Sequence, residues 1–173
     1  MPALPNPLHP AIVHFPVVLI LLGTFIAVVA IFWRKHQLPV AAALLLTLGA
    51  LGAWVAKETG ESAGGLAEFS SERAEKMLDE HEEWAEATLA WAAAAGAAAI
   101  AACALFKFPR LVRVSAVVSA GLALASSYSV YRTGHLGGQL VFQHGVGVNV
   151  ADGVGLSGGM PGARAGVRRD DDD

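Results

Sequence analysis

The sequence predicts an all-α protein: an integral membrane four-helix bundle with an outer amphipathic helix between the second and third crossings. Three observations carry that prediction. Of the 173 residues, 54% are apolar, and the mean hydropathy of +0.50 exceeds what a soluble domain of this size needs. Four runs, Ala11–Trp33, Leu38–Ala56, Ala87–Phe106 and Val114–Tyr131, contain no Lys, Arg, Asp or Glu. Each is near the roughly 20 residues that a helix needs to cross a hydrocarbon layer about 30 Å thick. Lipid offers the backbone no hydrogen-bond partner, so these runs must pair their own N–H and C=O groups as helices.

Residues 1–150 therefore form one transmembrane domain, with helices at about 11–33, 38–58, 84–106 and 111–133 and an outer loop at 57–86. Met1–Leu8 has no Lys or Arg, so the opening reads as the approach to a first crossing rather than a cleaved leader. Helices 1 and 2 are joined by Arg34-Lys35-His36-Gln37, and helices 3 and 4 by a segment with Lys107, Arg110 and Arg113. Short basic connections face the cytoplasm. The acidic loop and both chain ends then lie outside, as expected for a multi-pass protein of a bacterial inner membrane. Within that loop Leu66, Phe69, Ala74, Met77, Leu78 and His81 recur at helical spacing among acids, which predicts the amphipathic helix. Gly64-Gly65 is the expected break before it.

Small residues mark where helices meet. Gly49, Gly52, Ala53 and Ala56 line helix 2, and Ser115, Ser119, Ser126, Ser129 and Thr133 form a stripe along helix 4. In lipid such stripes permit close backbone approach and hydroxyl bonding between helices. From Ala151 to Asp173 the composition turns to Gly, Arg and a terminal run of Asp, which reads as a disordered tail. The net charge of −3 supplies no basic surface for nucleic acid. Cys103 is the only cysteine; it has no disulfide partner and no covalent haem motif around it.

The polar chemistry is concentrated in histidines. On the deduced topology His9, His14, His81, His135 and His144 gather at the outer mouth, and His36 stands at the other end. His14 lies in Leu8-His9-Pro10-Ala11-Ile12-Val13-His14-Phe15-Pro16, where Pro16 removes a backbone bond from the second turn. An imidazole at that depth needs a partner. His81 continues into Trp84, Thr88 and Trp91, but His81-Glu82-Glu83-Trp84-Ala85 lacks the second histidine of a zinc-protease helix. Glu58 and Glu61, one turn apart, are candidates to orient a histidine or bind a metal. Around His135, Gly134, Gly137 and Gly138 leave room for a flat ligand or another backbone, and Gln139 and Gln143 add amides. Against each reading stands a plainer one: interfacial histidines, a solvated acidic helix end, and a glycine-loosened end folding back over the bundle.

The opening Leu8–Pro16 segment, Glu58-Thr59-Gly60-Glu61, His81-Glu82-Glu83, and Gly134-His135-Leu136-Gly137-Gly138 through His144-Gly145 together resemble the bacterial membrane family catalogued as domain of unknown function 2231. The likeness spans about residues 8–148 and implies a four-helix membrane domain. Members resembling this chain also occur fused to cytochrome-like modules, an association that points toward redox chemistry without supplying a mechanism.

These observations lead to an expected site for b-type haem, or for a single Fe, Cu or Zn ion, at the outer end of the bundle. The expected cofactor ligands are His14, His81, His135 and His144; for a bare metal they are His14, His81, His135, Glu58 and Glu61. His14 and His135 form the first-choice axial pair, with His81 as substitute. The expected role is electron transfer with a membrane or periplasmic redox partner, in a chain that is compatible with homo-oligomer formation. The alternative is an assembly or metal-handling subunit without redox function. No nucleophile is paired with a base, so hydrolysis is not expected.

Overall fold

The structure is a computed structural model describing residues 9–33, 37–64 and 71–146. The helix α1 (His9–Ile12) is a single turn, followed by α2 (His14–Phe32), α3 (Gln37–Gly64), α4 (Glu72–Ala104) and α5 (Pro109–His144). The last four are long and apolar enough to cross a membrane. They pack in a ring: α2 touches α3 and α5, and α4 touches α3 and α5. Short connections make neighbours antiparallel. One end of the ring therefore holds α1 and the start of α4, here termed the acidic end. The other carries Lys107, Arg110 and Arg113.

Each boundary has a local cause. Pro16 has no N–H to give the carbonyl of Ile12, and the helix breaks at Val13, between α1 and α2. The start of α4 is capped by Ser71, whose hydroxyl accepts from the Ala74 N–H at 3.3 Å, with Glu72 and Glu75 in the first turn where the helix dipole favours negative charge. Pro109 opens α5, its missing N–H costing nothing in the first turn. At the other end Gly145 takes φ 67° and returns its N–H to α5.

The amphipathic outer helix is the first four turns of α4, Glu72–Glu86, continuous with the third crossing rather than separate from it. With 33 residues, α4 is about 50 Å long, enough to cross and still project. Likewise α5, with 36 residues, runs straight through Gly134, Gly137 and Gly138 instead of folding back. Leu66, Phe69, the Arg34-Lys35-His36 connection and the tail from Ala151 lie outside the described residues.

The radial arrangement inverts that of a soluble bundle. Phe15, Phe25, Phe32, Leu44, Leu51, Ile100 and Leu124 face outward, while the interior is mostly Ala, Gly, Ser and Thr. Among the described residues Ile20 and Leu46 are the large apolar side chains with no exposed surface, and each meets a glycine. A β-carbon on Gly49 would lie 2.8 Å from Ile20 Cγ1, and one on Gly23 would lie 3.0 Å from Leu46. Hydroxyls bind neighbouring helices: Ser119 donates to the Ala95 carbonyl at 2.8 Å, Ser126 to that of Thr88 at 3.1 Å, and Thr24 to that of Ala123 at 3.1 Å. Ser129 and Thr133 instead bond back along α5. The serine stripe is packing and inter-helix bonding.

The two hairpins, α1/α2–α3 and α4–α5, repeat one another. All five buried positions of α2, Pro16, Ile20, Gly23, Thr24 and Ala27, fall on buried positions of α4 when moved 72 places along the chain: Thr88, Ala92, Ala95, Gly96 and Ala99. On the second helices a shift of 77 places carries buried Ala42, Ala43, Leu46 and Gly49 onto buried Ser119, Ala120, Ala123 and Ser126. Burial thus recurs at matched positions of the two hairpins, although buried Ala50, Ala53 and Ala56 fall on half-buried Ser127, Val130 and Thr133.

Because core glycines set the helix spacing, Gly49→Val is expected to destabilise the protein by about 1–3 kcal/mol through overpacking against Ile20. A β-carbon on Gly121 meets nothing within 4 Å, so Gly121→Ala is expected to be neutral or up to about 1 kcal/mol stabilising. Thermal unfolding of the two variants in one detergent checks the contrast.

Candidate functional site

The duplication extends to the acidic end, where each hairpin contributes one half-buried histidine. His9, on α1, donates its Nδ1–H to the Ala56 carbonyl at 2.8 Å. His81, on α4, donates its Nδ1–H to the Thr133 carbonyl at 2.9 Å. The same two shifts relate them: His9 to His81 by 72 places, Ala56 to Thr133 by 77. A carbonyl can only accept, so each Nδ1 carries the proton. In a neutral ring Nε2 then holds the lone pair.

Four residues beyond each accepting carbonyl, on the same helix face, stands a glycine. A β-carbon on Gly60 would lie 2.9 Å from His9 Cε1, and one on Gly137 would lie 3.1 Å from His81 Cε1. Each imidazole therefore sets its Cε1–Nδ1 edge against bare backbone, with one hydrogen bond orienting the ring. The two rings are within Coulombic reach of one another. Burial holds His9 below the ordinary imidazole value of 6.5, partly offset by the Ala56 carbonyl.

Acids crowd the approach. Lys57 ion-pairs with Glu61 on its own helix and with Glu86 of α4 at 3.4 Å, tying α3 to α4 beside the histidines. Glu82 lies in the field of Glu61, Asp79 and Glu86. This end is a polar, negatively charged mouth above an interior that is nearly solid. The cavity between Ala27, Ala42, Ala99 and Ser119 offers about 10 Å³, about the space of one water.

The residues expected from sequence are distributed unevenly around this mouth. His81 is at its centre. His14 is exposed on the outward surface, between half-buried Val13 and outward Phe15, and His9 rather than His14 lies against α3. His135 is also exposed. Its ring stacks on Tyr131 at 6.1 Å and 15°, and its Nε2 lies 3.2 Å from the Gln139 amide nitrogen, which donates to it. The lone pair that would bind a metal is engaged there. His144 is half-buried in the last turn of α5, and Glu58 is exposed. Among the described residues no three His, Cys, Asp or Glu side chains come together in a metal-holding group. His14, His81, His135, Glu58 and Glu61 are therefore not preassembled as a set.

The five-residue offset between His9 and His14 puts the two on different helix faces. The signal that identifies His9 is the recurrence of His and Gly at matched shifts: His9 and Gly60 in one hairpin, His81 and Gly137 in the other. The glycine that matters near His135 is Gly137, and it receives His81 instead.

Comparison with known proteins agrees with this architecture. The chain belongs to the family of predicted membrane proteins designated DUF2231, whose profile matches residues 5–150 and so covers both hairpins and both histidine–glycine contacts. No curated protein and no solved structure matches it.

The lowered His9 value sets a pH dependence. The folded chain binds its proton less readily than the unfolded chain, so the associated stability is full above about 6.5 and declines as pH falls below it. The melting temperature of the wild type is expected to drop between about pH 7 and pH 5, and His9→Ala to flatten part of that drop. Parallel melts of the two proteins across that range measure it.

Proposed function

We propose that His9 and His81 form a two-imidazole site for a redox metal centre at the acidic end, and that the protein transfers electrons through it. The observation that supports the reading is the repeated unit itself: two neutral imidazoles, one per hairpin, each with Nδ1–H pinned to a carbonyl and Nε2 left with its lone pair. Bonding Nδ1–H to a carbonyl fixes the tautomer and raises the basicity of Nε2, as in metal-ligating histidines. Two such ligands, one from each hairpin, would suit a centre held between two imidazoles, either the iron of a b-type haem or a copper(I) ion.

The donor set fits either centre. The space differs: the cavity among the alanines is far smaller than a macrocycle, so a haem would have to sit outside the bundle interior, at the acidic end beyond the two imidazoles. When bound, the centre would supply a one-electron couple, while the chain sets ligand orientation and surrounds it with carboxylate charge. A centre saturated by two protein ligands offers little room for substrate, which favours electron transfer over bond-making chemistry. The acids of Glu72–Glu86 favour a basic redox partner.

Purification from haem- and copper-replete cells tests this. Wild type is expected to hold one centre per chain or per assembled site, seen as a Soret band or as copper by elemental analysis. His9→Ala and His81→Ala should each lose it, whereas His14→Ala and His135→Ala should keep it. Wild type without a Soret band or stoichiometric metal, or equal retention in all four variants, would leave the histidines as mechanical brackets. Orientation is tested separately. A cysteine at Glu75 in a Cys103→Ala background should react with an impermeant maleimide in intact spheroplasts, and one at Arg110 should not.

A further inference from the structure

A second polar site lies on the outward surface of the α4–α5 pair. The guanidinium carbon of Arg132 lies 4.9 Å from the centre of the Trp84 ring, and Trp84 meets Tyr128 edge to face at 5.7 Å and 80°. Tyr128 is 54% exposed, so the group faces the surroundings of the bundle rather than its core.

Two features of Arg132 are unusual. Its Nε is buried and has no hydrogen-bond partner among the described residues. It also forms no ion pair, although this end of the protein is rich in carboxylates; the ion pairs among the described residues belong to Lys57 and Lys76. A guanidinium held against an indole face keeps its charge, and its planar N–H groups match two oxygens of a phosphate. Leaving such a cation unpaired is costly.

Depth identifies the anion. The charge-free part of α4 begins at Ala87, one turn beyond Trp84. Arg132, Trp84 and Tyr128 thus sit where hydrocarbon gives way to headgroups, the level at which Trp and Tyr gather in membrane proteins. At that level the abundant anion is the phosphodiester of a phospholipid.

We propose that Arg132, backed by Trp84 and Tyr128, binds the phosphate of a bilayer phospholipid in the leaflet at the acidic end. The site is independent of whatever the histidine pair holds. It fixes the depth of the α4–α5 hairpin through one charge-assisted contact, next to the Thr133 carbonyl that orients His81.

The test uses full-length protein in which Trp33, Trp54 and Trp91 are replaced by Phe, leaving Trp84 as the sole indole, with folding checked by helical circular dichroism and monodisperse elution. Brominated phosphatidylglycerol is titrated into detergent micelles against brominated diacylglycerol, which has the same chains and no phosphate. Trp84 quenching is expected to show about three- to tenfold tighter apparent binding of the phospholipid. Arg132→Gln should erase the difference, and Arg132→Lys should retain part of it. Equal quenching by the two lipids, or an undiminished preference in Arg132→Gln, would overturn the proposal. So would reproduction of the fluorescence change by millimolar inorganic phosphate alone, which would make the site one for free anions.

Discussion

Close approach between helices is the constraint on which the rest of this structure depends. In lipid, apolar side chains gain nothing by leaving the solvent for the core, so cohesion comes from packing contacts and inter-helix hydrogen bonds. The interior answers with Ala, Gly, Ser and Thr, and the fully buried Ile20 and Leu46 are each accommodated by a glycine across the interface. Backbones brought this near place carbonyls of one helix within reach of hydroxyls on the next, as Ser119, Ser126 and Thr24 show. The same spacing, carried to the acidic end, lets an imidazole press one edge on a glycine and reach a carbonyl one turn away.

The duplication gives that end its chemical character. A single histidine against a glycine would be a local packing detail. Two, at positions related by the same shifts that superpose the buried faces of the helices, form a symmetric element. The sequences of the two hairpins have diverged almost everywhere else: Pro16 stands opposite Thr88, Ile20 opposite Ala92 and Thr24 opposite Gly96. Position and burial are kept while identity is not, as expected when spacing is the conserved physical quantity. The histidine and glycine keep identity as well as position.

The fold was legible in the sequence because hydropathy and length are direct readouts of a bilayer's thickness. Uncharged runs near 20 residues admit few alternatives, but the helix ends were less legible: α3 runs to Gly64 and α5 to His144, past the expected 58 and 133. The amphipathic turns Glu72–Glu86 were legible too, although their continuity with the third crossing was not, since no breaker separates Glu86 from Ala87 and none is needed. The site was only half legible. His81 was identified, but His14 and His135 drew attention through rich local context, Pro16 in one case and three glycines in the other. Context along the chain does not report which way a side chain points. Pro16 removes a backbone bond and lies against Gly52, while the turn before it carries His9 to α3. Gly137 acts across the interface on His81, not on the histidine two places before it. The internal repeat escaped notice because its signal is two residues per hairpin, separated by about 50 positions and embedded in alanine-rich background.

A mechanical bracket alone does not explain the choice of side chain at the two contacts. Filling a glycine niche and donating one hydrogen bond to a carbonyl is within the means of Asn, Gln, Trp or Tyr, and none of these loses stability on mild acidification. Imidazole does, because burial favours its neutral form. What imidazole adds in exchange is a second nitrogen that the first bond leaves unprotonated and oriented, and in both hairpins that nitrogen has no protein hydrogen-bond partner among the described residues. His135 supplies the contrast within the same molecule: its Nε2 is occupied by Gln139 and its ring lies on the exposed surface. Two histidines with free Nε2 atoms, at matched positions of the two hairpins and at the polar end of the bundle, are what the proposed ligand pair requires. That reading accounts for the residue type as well as for its position.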